Sequence, residues 1–225
     1  MALQNGREEN GEWNALRLTL KKDGSDFEQF TIGACVVKVT SDIFYVLGGR
    51  VSSDGPITSK VYSINMKEQS VQEVGSLSYT RAQHACALIP SDALSRQLIL
   101  VTGGVSENSS VRDEIFDVAL RKSKVLDNSQ IVPRINHQMV ALGQKVFALG
   151  GQRQSSDDSK LDEIEVFDAI LESWSLHDST LLSEATNGIA VTEFPISSVS
   201  CNQDCACGVR PGARVVGGQE PEVSR

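Results

Sequence analysis

The chain has 225 residues, 40% hydrophobic and 22% charged, with a formal net charge of −8. That length allows one domain, or one domain with an appendage, and no apolar run approaches the roughly 18 residues that a membrane span requires. The acidic balance argues against general nucleic-acid binding, which relies on lysine and arginine to neutralise phosphates.

In chain order, the opening Met1-Ala2-Leu3-Gln4-Asn5-Gly6-Arg7-Glu8-Glu9 is polar and lacks a signal-peptide pattern. The compartment stays open on this reading: cytosolic if Met1 is the true start, extracellular if the chain belongs to a longer secreted one. Residues 1–29 form an N-terminal segment in which Glu12-Trp13 is the expected outer strand of a preceding unit. From residue 30 the sequence becomes periodic. Ile43-Phe44-Tyr45-Val46-Leu47-Gly48-Gly49, Leu98-Ile99-Leu100-Val101-Thr102-Gly103-Gly104 and Val146-Phe147-Ala148-Leu149-Gly150-Gly151 are each a β-branched and aromatic run closed by two glycines. The pairs recur after 55 and then 47 residues, measured from 49 to 104 and from 104 to 151. A double glycine lets a strand turn sharply and approach its neighbour without an intruding Cβ.

The periodicity extends to both sides. An apolar strand precedes each pair, at Ala34–Val37, Ala85–Leu88 and Met139–Leu142, and a fourth copy is expected at Gly188–Val191 with no double glycine closing a unit after it. After each pair comes a polar loop and a further strand, at Val61–Ile64, Ile115–Val118 and Ile164–Phe167, followed by an apolar anchor at Val71, Val125 and Trp174. Repeats at this spacing predict an all-β repeat architecture.

The set resembles kelch repeats across about residues 30 to 192, most fully in the third copy, where Phe167-Asp168 and Trp174 match the family pattern. The resemblance implies a partial β-propeller of about three complete four-stranded blades, with partial blade strands at both ends, over residues 30–196. It also implies a non-catalytic module that binds a protein or peptide partner through its loops, with no cofactor. The loops after the diglycines and those entering each first strand cover 50–60, 76–83, 105–112, 129–136 and 152–161. Arg50, Arg81, Arg134 and Arg153 fall in them and are the candidate partner-binding residues, suited to pairing with an acidic peptide.

Other candidates carry less chemistry. His84 and His137 recur at one repeat position, which favours a structural role over catalysis. Asp157, Asp158, Asp162 and Glu163 cluster in a loop without EF-hand spacing and read as solvated charge. Asn108-Ser109-Ser110 is a glycosylation sequon. A copper enzyme of the galactose-oxidase sort, also kelch-built, would need a ligand pattern that Tyr45, Tyr62 and Tyr79 do not form. Cys35 and Cys86 sit alone in apolar stretches and are expected as small buried thiols of a reduced core.

The tail, residues 197–225, changes character. Cys201, Cys205 and Cys207 crowd together as disulfide candidates, without the Cys-x-x-Cys spacing of zinc sites. Cys207-Gly208 followed by Arg214-Val215-Val216-Gly217-Gly218 resembles the activation segment of trypsin-like zymogens. That resemblance implies cleavage between Arg214 and Val215, and an alternative function as the regulatory N-terminal region of a secreted protease zymogen. The catalytic triad would lie beyond Arg225, so no protease activity is expected in this chain.

Overall fold

A computed structural model describes residues 19–27, 30–89, 96–107, 111–154 and 159–177, together with the backbone of four short strands at Leu3–Gln4, Ala15–Leu16, Ala190–Thr192 and Arg214–Val216. The described residues are all β and contain no helix. Three consecutive antiparallel meanders dominate. The first runs through Cys35–Lys38, Ile43–Leu47, Lys60–Asn65 and Ser70–Ser76. The second has Ala85–Ile89, Leu98–Thr102, Glu114–Asp117 and Lys122–Val125. The third has Gln138–Leu142, Lys145–Leu149, Ile164–Asp168 and Ser173–Leu176. At the edge of the first sheet the hairpin of Lys21–Lys22 and Ser25–Asp26 adds two strands, giving six. Among the described residues the sheets close into neither a barrel nor a complete propeller ring.

Each meander is built by the same local chemistry. The third strand ends in Asn65, Asp117 or Asp168, whose Oδ1 accepts two backbone N–H groups of the following turn at 2.8–3.1 Å. Four residues on, Gln69, Arg121 and Glu172 all take a left-handed conformation, with φ between 48° and 56°. An Asx-type turn of this kind reverses the chain and aligns the fourth strand. This is the task of the aspartate in Phe167-Asp168.

The pairing register corrects one expected equivalence. Phe167 faces Trp174 and Ile64 faces Val71, but Phe116 faces Ser123. Val125 instead faces Glu114, so the residue matching Trp174 in the second unit is a serine. Equal spacing along the chain concealed a shift of two residues, and in a strand only the cross-strand partner defines equivalence.

The core lies between the sheets. Tyr45, Leu47, Val61 and Val74 of the first unit pack on Cys86, Ile99, Val101 and Phe116 of the second. The opposite face of the second sheet, with Leu98, Leu100, Ile115 and Leu126, packs on Met139, Ala141, Val146, Ala148 and Phe167 of the third, with Trp174 against the cluster. The side chains of one strand therefore serve two interfaces, which is why the central strand Leu98–Thr102 is buried at every position. The first strands stand side by side in sequence order: Cys35–Lys38, Ala85–Ile89, Gln138–Leu142 and then Ala190–Thr192.

The structure overturns the expectation of reduced thiols. Cys35 and Cys86 form a disulfide with a Cα–Cα distance of 5.9 Å, joining the first strands of the first two units. Apolar surroundings in each strand suggested isolated thiols, yet it is the neighbouring placement of these two strands that brings the sulfurs together.

Candidate functional site

The candidate site is the end of the sheets where the diglycines turn the chain. Its foundation is a repeated backbone arrangement. Gly33, Gln83 and Asn136 occupy equivalent places, two residues before each first strand, and all three are left-handed with φ of 65°, 58° and 53°. The second and third each hand a hydrogen bond to the unit before: Gln83 N donates to Gly33 O at 2.8 Å, and Asn136 N donates to Gln83 O at 2.9 Å. The second glycine of the first two pairs reaches the next unit in the same way. Gly49 N donates to Arg81 O at 2.7 Å, and Gly104 N donates to Arg134 O at 3.1 Å. A Cβ on Gly103 would run into the carbonyl of Arg134, and one on Gly48 would sit 2.6 Å from the carbonyl of Arg81. With φ of 62° at both, these positions require glycine for conformation and for space together.

Arg81 and Arg134 do not face a partner. Both side chains are fully buried, at 0% exposure, which corrects their expected role at the surface. The Arg81 guanidinium donates to the carbonyls of Gly103 at 3.1 Å and Arg112 at 2.6 Å, and pairs with Glu114 at 2.6 Å. Arg134 repeats this one unit later: it donates to Gly150 O at 3.0 Å and Glu163 O at 3.2 Å, and pairs with Glu165 at 2.5 Å. The carboxylates are further satisfied from behind. Glu114 accepts from Ser78 N at 2.6 Å and from the Ser123 hydroxyl, while Glu165 accepts from Ile131 N at 2.8 Å and Val132 N at 3.0 Å. Such pairs are tolerated in a low-dielectric interior because almost every polar atom finds a partner.

The first unit lacks the pair altogether. By register, Thr31 stands where the others have arginine and Tyr62 where they have glutamate. Thr31 Oγ1 donates to Gly48 O at 2.5 Å, keeping the contact to the diglycine carbonyl without a charge. Loss of both partners at once leaves no uncompensated ion. The glutamates went unnoticed in the sequence, although Glu114-Ile115-Phe116-Asp117 and Glu165-Val166-Phe167-Asp168 repeat visibly in step with the arginines. An opposite charge recurring at a fixed repeat position was the available signal.

The histidines belong to the same framework. His137 Nε2 lies 2.9 Å from Thr102 Oγ1 of the preceding unit. At the place of Thr102 the first unit has Leu47, so His84 meets no hydroxyl there. Burial first, then the Arg81 guanidinium, push the His84 imidazole down to about 3. Burial, with Arg134 and His84 nearby, holds His137 well below the usual range. Asp113, beside Glu114, is pushed up to about 6 by burial, opposed by the Gln130 N–H that it accepts at 2.7 Å and by Arg81.

What remains on the surface is the loop rim. Arg50 is partly exposed, donating to Gly55 O at 2.6 Å and reaching Glu107 of the next unit at 3.3 Å. The Thr80 hydroxyl joins the 76–83 loop to that same loop of Glu107 through Ser106 at 2.9 Å. Arg153 is 40% exposed and meets Glu163 at 3.5 Å, and its strand pairs with Arg134–Ile135. Among these charges Ile32, Val51 and Ile131 lie exposed, at 56%, 48% and 52%. Tyr45 is instead a core residue against the Phe116 ring, and Tyr62 packs on Phe27 with Lys22 above it. Among the described residues no group of three His, Cys, Asp or Glu is placed to hold a metal ion, and no helix is long and apolar enough to cross a membrane.

Glu12-Trp13, Asn108, Asp157, Asp158, Cys201, Cys205 and Cys207 lie outside the described residues. Arg214, Val215 and Val216 form a strand paired antiparallel with Ala190–Thr192. No protein-family model matches the chain, and no curated protein matches it.

Proposed function

We propose that the chain is a non-catalytic protein-binding module, a kelch-type partial propeller whose three meanders are blades and whose loop rim takes a protein partner. One observation carries this reading: successive loops are gathered at one end of the sheets and tied to each other, through Arg50–Glu107 and Thr80–Ser106, over a buried scaffold of paired charges. Loops held by a rigid frame are where binding residues concentrate. With Arg81 and Arg134 inside the scaffold, the rim offers mixed chemistry rather than a positively charged cleft for an acidic peptide. There Ile32, Val51 and Ile131 supply apolar contact and Arg50 and Arg153 polar contact. Apolar residues framed by arginine suit a folded protein surface.

The experiment is a pull-down titration with the intact chain and with Ile32→Asp/Val51→Asp, both checked for unchanged circular dichroism. A partner recovered by the native chain and lost at least tenfold by the variant supports the rim. Equal capture by both sends the partner elsewhere on the molecule. A second reading, the regulatory region of a secreted protease zymogen, draws support from the Cys35–Cys86 disulfide, because such bonds persist in oxidising compartments. It is tested by treating the chain with a trypsin-like protease and sequencing for a new N-terminus at Val215.

A further inference from the structure

The tail segment that resembles an activation site also fits the repeat, and a cleavable bond must be open where a repeat strand must be paired. In every unit the residue before the diglycine faces the first residue of the preceding strand: Leu47 faces Cys35, Thr102 faces Ala85, and Leu149 faces Gln138. Val216, which precedes Gly217-Gly218, faces Ala190, the first residue of its strand. The register is the same in all four hairpins. In each case the strand pairs up to the residue just before the two glycines.

Counting back from Ala190 extends the correspondence. Two residues before each first strand stands the left-handed residue of the backbone chain, Gly33, Gln83 or Asn136. The same count from Ala190 reaches Gly188, a residue for which that conformation carries no steric penalty. Four residues before each first strand stand Thr31, Arg81 and Arg134, and the count from Ala190 reaches Thr186. The sequence Thr186-Asn187-Gly188 thus repeats Thr31-Ile32-Gly33 of the first unit, the one unit without the buried ion pair.

The place for a fourth hairpin is also present. Ala190–Thr192 adjoins Gln138–Leu142 as the next first strand in the series. The face of the third sheet turned away from the second carries its own apolar cluster of Val140, Phe147, Leu149 and Ile164. In the first two units the corresponding face is covered by the following sheet.

We infer that Ala190–Thr192 and Arg214–Val216, followed in sequence by Gly217-Gly218, are the inner strand pair of a fourth repeat unit docked on the apolar far face of the third sheet. Arg214 and Val215 are then residues of a paired strand, and the bond between them is shielded from a protease as long as the hairpin is closed. A protease must bind its substrate in an extended, unpaired form, so cleavage requires opening. This inference does not depend on whether the loop rim binds a partner.

The test is limited trypsin digestion of the full chain, following release of the fragment that begins at Val215 by mass spectrometry, alongside a synthetic peptide of residues 209–220. Hydrogen exchange over 190–192 and 214–216 is read in parallel. The expected result is release about tenfold or more slower than from the peptide, as for a site that must open before it is cut, with both segments protected from exchange. Gly188→Val, which puts a β-branched residue at the sequence position that matches Gly33, Gln83 and Asn136, should restore peptide-like cleavage and remove protection from both segments together. Cleavage of the native chain as fast as the peptide overturns the inference. So does protection of the native tail that Gly188→Val leaves unchanged. Should that variant fail to fold, the native chain's exchange and cleavage decide alone.

Discussion

Arg81 and Glu114 meet at 2.6 Å, 33 positions apart in sequence, and neither side chain is reached by solvent. The pair clamps the diglycine turn, the strand entry and the third strand of one unit, and Arg134 with Glu165 does the same in the next. Its worth lies in completeness, because an ion left alone in this interior would carry the whole desolvation penalty.

Arg81→Thr is therefore expected to cost about 3–5 kcal/mol, since Glu114 stays behind unpaired. Arg81→Thr/Glu114→Tyr installs the residues that the first unit uses at these places, Thr31 and Tyr62. The double variant should be more stable than the single one in chemical denaturation. A double variant weaker than Arg81→Thr would show that the first unit's solution depends on its own surroundings.

Two glycines with nearly the same backbone separate conformation from crowding. Gly103 and Gly143 have φ of 62° and 60°, but a Cβ on Gly143 meets nothing within 4 Å. Gly143→Ala should cost only the left-handed conformation, about 1–2 kcal/mol. Gly103→Ala adds a collision with the Arg134 carbonyl, and with overpacking worth about 1–3 kcal/mol the total should reach about 2–5 kcal/mol. Equal midpoints in urea would refute the role given to the diglycine.

Stability should fall on acidification below neutrality, through opposing groups. His84, held at about 3 in the fold against an ordinary 6.5, contributes stability that is present above 6.5 and lost as pH falls toward 3. His137 acts in the same direction. Asp113, raised from 3.8 to about 6, contributes stability that is present below 3.8 and lost as pH rises through 6, so it opposes them. Between pH 7 and 4 the melting temperature of Asp113→Asn should drop more steeply than that of the native chain. His84→Ala should start lower, because it leaves a cavity, and drop less steeply. Parallel curves for all three proteins would contradict the assignment.

The Cys35–Cys86 bond ties the first two units across their inner strands. Reduction, or Cys35→Ala/Cys86→Ala, should lower stability by about 2–4 kcal/mol. A non-reducing peptide map should recover the two cysteines in one linked fragment. Two free thiols that react with a labelling reagent in the native chain would return the pair to the reduced core first expected.

The three inner strands of each unit, their order and the diglycine turns could be read from the sequence, because diglycines and runs of β-branched residues act locally: Gly48, Gly103 and Gly150 mark their turns whatever lies opposite, whereas the hairpin of Lys21–Lys22 and Ser25–Asp26 left no such mark. Which face a side chain turns to, and what meets it there, was settled only by tertiary structure. Arg81 and Arg134 looked like surface charges until Glu114 and Glu165 closed over them, and Val125 looked equivalent to Trp174 until register put Ser123 there. Cys35 found Cys86 only because two first strands stand side by side. Each of these depends on a partner more than thirty residues away or on cross-strand pairing, and spacing along one strand carries no information about either.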